Sequence, residues 1–133
     1  QYFMQDDLAS LVNDIHKMRK RVQAGAPPAS DLKKRAGGFL DAEFLVGLEA
    51  HPDMAVTGTA QSGSPVFINA LNTLERIKQS MPVYGISPAG QHLEYRTEQE
   101  ISDMLAPATD ACAEIKDCLE NALDTAQTLI DAR

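Results

Sequence analysis

Between Ile101 and Leu129 the apolar residues Ile101, Leu105, Ala108, Cys112, Ile115, Leu119, Ala122, Ala126 and Leu129 fall in alternating steps of four and three without a break. That spacing holds them on one face of an α-helix and repeats every seven residues, the mark of a seam that another helix must cover. No other feature constrains the chain as strongly. A long one-sided helix cannot bury its seam alone, and 133 residues supply one core and not two. Thr97-Glu98-Gln99-Glu100, just ahead of the seam, reads as a capping box in which the threonine oxygen and the glutamate carboxylate each serve a free backbone N–H. Pro107 is expected to bend this helix or to split off its first two turns, because it lacks an N–H and crowds the preceding turn.

Shorter stretches supply the cover. From Asp6 to Ala24, Leu8, Leu11, Val12, Ile15, Met18 and Val22 mark one helical face, with acids at its start, cations near its end, and Gly25 and Pro27-Pro28 stopping it. Residues 39–50 read as a helix apolar nearly all round, through Phe39, Leu40, Phe44, Leu45, Val46 and Leu48, and such a helix belongs in the middle of a fold. His51-Pro52 closes it. Residues 52–65 are rich in Gly, Ser and Thr and read as a loop, with Met54–Thr57 the one candidate for a short strand. Ser64-Pro65 then opens a helix to about Ser80, with Phe67, Ala70, Leu71, Leu74, Ile77 and Met81 as its buried stripe. With no Trp and many Ala and Leu, the expected fold is an all-α bundle of about four main helices joined by irregular connections, the second helix central and the last laid against it.

Composition narrows the class of protein. Apolar residues at 44% and charged residues at 23% suit a globular chain and are too apolar for a disordered one. No stretch approaches the roughly 20 apolar residues of a membrane span, and the first residues do not read as a charged-then-apolar leader, so no membrane partner and a cytoplasmic location are expected. A chain that begins at Gln1 leaves open that it is a fragment or a processed form. Cys112 and Cys118 point about 120° apart on a helix, so they are expected as buried or half-buried free thiols and not as a disulfide or a metal pair.

The net charge of −7 hides a polarity. Lys17, Arg19, Lys20, Arg21, Lys33, Lys34 and Arg35 are seven of the twelve basic residues and lie within nineteen positions, whereas the chain from Glu94 onward holds ten acids and three bases. Nucleic acid is not favoured as a partner of so acidic a chain, yet a local basic patch can hold a phosphate or an acidic protein. The other expectation is that the basic and acidic ends face each other, within the fold or in a homo-oligomer. Asp103, Asp110, Asp117, Asp124 and Asp131 recur every seventh residue opposite the seam. Successive members are about 10 Å apart along the axis, too far to share a metal ion, so the ladder is a solvated face or a surface for a basic partner.

No catalytic constellation stands out. His16, His51 and His92 lie on separate elements, His51 at a helix end where a cation is welcome; neither cysteine sits in a nucleophile motif, and no serine occupies a G-x-S-x-G elbow. No catalytic residue, metal or cofactor is assigned. The stretch DLKKRAGGFLDAEFLV, residues 31–46, is the most pointed feature left. Gly37-Gly38 lacks the context of a nucleotide loop and is read as permitting close backbone approach or a positive φ before the second helix. Asp41 and Glu43 suit that helix's N-terminal dipole; buried, they would need partners, and Lys33, Lys34 or Arg35 lie one turn of chain away. The cluster is thus either an internal salt-bridge set fixing the loop or, left partly open, a contact for a phosphate-bearing ligand or a catalytic domain.

Asp31, Lys33, Gly37, Gly38, Asp41, Glu43 and Phe44 together resemble the D-x-K-x₃-G-G-x₂-D-x-E-F signature of the glutamine-synthetase adenylyltransferase family, in the helical domain that follows each nucleotidyltransferase domain. Upstream, Met18-Arg19 looks like the family's "MR" segment, and the resemblance covers residues 14–46. It departs at Ala42, where a larger aliphatic is usual, and at Gly47, where Gln is frequent. The family's catalytic G-S-x₂-D-x-D is absent from this chain. The resemblance implies a non-catalytic helical module that docks onto a partner or a neighbouring domain. Two alternatives come from the residues alone: a small structural or assembly subunit whose acidic last helix binds a basic neighbour and whose seam pairs between copies, and a small-ligand domain using the loop at 52–65.

Overall fold

The structure, a computed structural model, describes residues 7–80 and 98–132. It is an all-α bundle of helices packed against one another: α1 (Leu8–Ala24), α2 (Phe39–Glu49), the short α3 (Pro52–Ala55), α4 (Pro65–Ser80) and α5 (Glu98–Asp131). The capping box anchored on Thr97 and the stripe position Met81 lie outside the described residues, as does the side chain of Ile101.

α1 begins on Asp7, whose carboxylate accepts from the backbone N–H of Ala9 at 3.0 Å, and it buries Leu8, Val12 and Ile15. It stops at Gly25 as expected, though without a left-handed glycine. Gly25 keeps right-handed geometry at φ −78°, and Ala26 takes the left-handed turn at φ 48°. Pro27 bars Ala26 from the right-handed helical region, which puts the strained residue there. α4 opens as expected: the Ser64 hydroxyl accepts from the N–H of Phe67 at 3.2 Å, and Phe67, Ala70, Leu74 and Ile77 are buried.

The strand suggested for Met54–Thr57 is not formed. Pro52 sits at the first position of α3, the His51 Nδ1 accepts from the N–H of Asp53 at 3.1 Å, and the turn drives Met54 into the core. A proline with its φ already set and a capping acceptor before it outweigh a short apolar alternation. His51 therefore serves as the acceptor at the start of α3 through Nδ1, with its Nε2 buried and without a partner.

α2 is central as expected, touching each of the other four helices, but the most extensive packing is on α5. α5 is the hub, with α4 packed along it most extensively and α2 and α1 also laid on it. Ala108, Cys112, Ile115, Leu119, Ala122 and Ala126 of the seam are buried, and Ala111, Cys118 and Leu123 beside them widen the buried face. A narrow seam serves one neighbour; this wider stripe serves three. α2 buries Ala42, Leu45 and Leu48 but leaves Val46 53% exposed, so its apolar sequence overstates its burial. α5 runs through Pro107 without a break. Pro107 is exposed, where water can serve the carbonyl left without a donor. Among the described residues no helix is long and apolar enough to cross a membrane.

Candidate functional site

The 31–46 stretch folds as one turn feeding a helix. Asp31 makes the turn: its Oδ1 accepts from the backbone N–H groups of Lys33 and Lys34 at 3.2 and 3.0 Å, and its carbonyl accepts from the N–H of Arg35 at 3.0 Å. The turn's carbonyls then serve the start of α2, where Phe39 N–H reaches the Leu32 oxygen at 2.9 Å and Leu40 N–H the Lys33 oxygen at 3.0 Å. These bonds replace the side-chain cap that α2 lacks at Gly38.

Both glycines are buried and both are required by space. Gly37 has φ +80° and lies against the backbone of Cys112 in α5, where a β-carbon would stand 2.6 Å from the Cys112 carbonyl carbon. A β-carbon on Gly38 would collide with the Leu32 carbonyl oxygen and stand 3.0 Å from that of Arg35. Close backbone approach and positive φ, offered by the sequence as alternatives, thus hold together at Gly37.

Asp41 is 4% exposed and sits at the centre of the site. Its Oδ2 accepts from the Gly37 N–H at 2.7 Å, while Arg19 of α1 donates through Nε to Oδ1 at 3.2 Å and through Nη2 to Oδ2 at 3.4 Å. The expected partners, Lys33, Lys34 and Arg35, do not take this role. Asp31 holds the backbone of both lysines, whose side chains are exposed, and Arg35 donates through Nη1 to the Ala29 carbonyl at 3.0 Å. Arg19 is the site residue that local reasoning misses. The one available signal was its place in the Met18-Arg19 segment that accompanies the motif.

The motif is therefore divided. Gly37, Gly38 and Asp41, with Arg19, form an inner clamp joining α1, the turn and α2 against α5. Lys33 and Glu43 face outward, and Phe44 is half-buried against the core. The outer side borders an open cleft of about 500 Å³ lined in part by Lys33, Phe39, Glu43, Glu75 and Lys78, with the Lys78 Nζ 5.4 Å from the centre of the Phe39 ring. Two ammonium groups, two carboxylates and an aromatic face can hold charged side chains of a partner.

The remaining candidates lie apart from this clamp. Asp103, Asp110, Asp117, Asp124 and Asp131 are all exposed on α5, with Gln99 and Gln127 donating to Asp103 and Asp131 at 2.8 and 2.9 Å. Cys112 and Cys118 are free and buried. Burial pushes the Cys112 thiol up, with the Arg35 guanidinium pulling against it and the Asp41 charge adding to the rise. Burial also raises Cys118, partly offset by a hydrogen bond with Ser64. The loop after α3 is pinned by Glu49, whose carboxylate accepts from the N–H groups of Gln61 and Ser62 at 2.6 and 2.9 Å. Among the described residues no three His, Cys, Asp or Glu side chains converge as a metal site would require.

No family model matches the chain, and comparison with curated proteins and with solved structures finds no match.

Proposed function

We propose that the chain is a non-catalytic helical docking module, similar in role to the accessory domain of glutamine-synthetase adenylyltransferases. The observation that carries this reading is the division of the motif. Its inner residues are consumed by the Arg19–Asp41–Gly37 clamp, which fixes the turn, and its outer residues Lys33 and Glu43 line the cleft, with Lys34 exposed next to Lys33 in the turn. A fixed turn presenting unpaired charges is suited to holding a partner in register. The test is calorimetric titration against a nucleotidyltransferase domain bearing G-S-x₂-D-x-D. Binding that weakens about tenfold or more in Lys33→Glu/Lys34→Glu supports the reading, and no heat of binding by the unaltered chain rejects it.

A second reading, an assembly subunit, is favoured by the charged exterior of α5. Pairing of the seam between copies does not fit it, because Ile115 and Leu119 are 0% exposed within one chain. The reading therefore rests on the helix's outward face.

A further inference from the structure

Among the described residues the basic and acidic stretches of the sequence form no ion pair with each other. Lys17, Lys20 and Arg21 are exposed on α1, Lys33 and Lys34 are exposed on the following turn, and the Gln23 side chain ties the two segments by donating to the Lys34 carbonyl at 2.9 Å. The other two cations of this region are engaged within the chain, Arg19 by Asp41 and Arg35 by the Ala29 carbonyl. On α5, Asp110, Glu114, Asp117, Glu120 and Asp124 follow in steps of four, three, three and four, all exposed, with Lys116 the one cation among the helix's residues. Such spacing stacks like charges within reach of one another, which an isolated helix disfavours. Among the described residues the one ion pair is Arg19–Asp41. Among the described residues, neither charged face thus has a counterpart in its own chain.

We propose that two copies of this chain dock through these faces, the α1 and 31–35 cations of each seated on the acidic stripe of the other's α5. Each copy carries both halves of the contact, so a twofold arrangement forms it twice and closes. Met18, 45% exposed between Lys17 and Arg19 in sequence, adds an apolar point to the cationic face. The net charge of −7 per chain does not forbid the pairing, because the opposite charges of the two faces meet at contact while the like charges of the two molecules stand farther apart. The inference deepens the assembly reading above and rests on it.

Sedimentation equilibrium of the whole chain at low and high salt is the test. At low salt the mass should rise with concentration from 14.4 kDa toward twice that value, and the association constant should fall about tenfold or more on raising salt from 20 to 200 mM. Lys20→Glu/Lys33→Glu/Lys34→Glu and Asp110→Lys/Asp117→Lys/Asp124→Lys should each remain monomeric, and an equimolar mixture of the two should associate again, since reversal of both faces restores opposite signs. If either triple variant is unfolded by circular dichroism, Lys33→Glu and Asp117→Lys serve in its place. A chain monomeric at low salt, a dimer indifferent to salt, or a mixture that fails to associate overturns the proposal. A monomeric chain that still binds the nucleotidyltransferase domain overturns it while leaving the docking reading in place.

Discussion

The guanidinium of Arg19 on α1 grips the carboxylate of Asp41 on α2, Nε to Oδ1 at 3.2 Å, across 22 residues of chain. Asp41 is buried and also carries the Gly37 N–H at 2.7 Å. Removing one partner strands the other, whereas removing both leaves only the Gly37 N–H without its acceptor. Asp41→Ala should destabilise by about 2–4 kcal/mol and Arg19→Leu by about 1–3 kcal/mol, with the double variant close to Asp41→Ala instead of the sum. Urea denaturation of the four proteins measures the cycle, and additive costs would mean that the pair is not coupled.

The glycines of α2 and its entrance separate by what a methyl group would meet. Gly37→Ala places a β-carbon in the Cys112 backbone at positive φ, and Gly38→Val drives one into the Leu32 carbonyl. Each should destabilise by roughly 2–4 kcal/mol, since backbone and not a flexible side chain must move. Gly47→Ala, on the exposed side of α2 where a β-carbon meets nothing within 4 Å, should instead stabilise by up to about 1 kcal/mol. Melting temperatures moving in the same direction for all three would contradict the packing described.

Local signals carried most of the fold. The seam of α5 and the Ser64-Pro65 opening of α4 are each written in neighbouring residues and found where their spacing places them, and the α1 stripe holds through Ile15 but not at Met18, which is exposed. What was not legible depends on residues distant in sequence. Asp41 had three cations within a turn of chain, and nothing local reveals that Asp31 holds the backbone of two of them outward while α1 brings Arg19 in. The hub could not be read from hydrophobicity either. α2 is the most uniformly apolar helix and touches all four others, but α5, the longest helix, takes the most extensive packing. In the candidate site the need for Gly37-Gly38 was visible as a backbone requirement, while the identity of the opposing backbone, at Cys112, was not.

Both buried thiols are held above the ordinary thiol value, chiefly by burial. Below about pH 8.5 they are protonated in the folded and unfolded chain alike and contribute no pH dependence. Above it the unfolded thiols ionise first, so the unfolded state holds fewer protons and stability falls with rising pH until the folded thiols ionise as well. Urea midpoints between pH 7.5 and 10 should therefore decline, and Cys112→Ala, whatever its own cost in packing, should flatten that decline. An equal slope in the variant would remove Cys112 as a source of it.

The two faces of α5 should respond oppositely to charge. Leu119 is 0% exposed and packs in the core, so Leu119→Asp puts a carboxylate where no partner waits and should unfold the monomer, a cost of about 4 kcal/mol or more. Asp124, five residues along and exposed, carries no ion pair with a described residue. Asp124→Lys should change stability by no more than about 0.5 kcal/mol in either direction. Circular dichroism melts of the two single variants at low protein concentration read the contrast directly. A folded Leu119→Asp monomer would mean that the seam is not the inner face of α5, and the bundle as described would have to be abandoned.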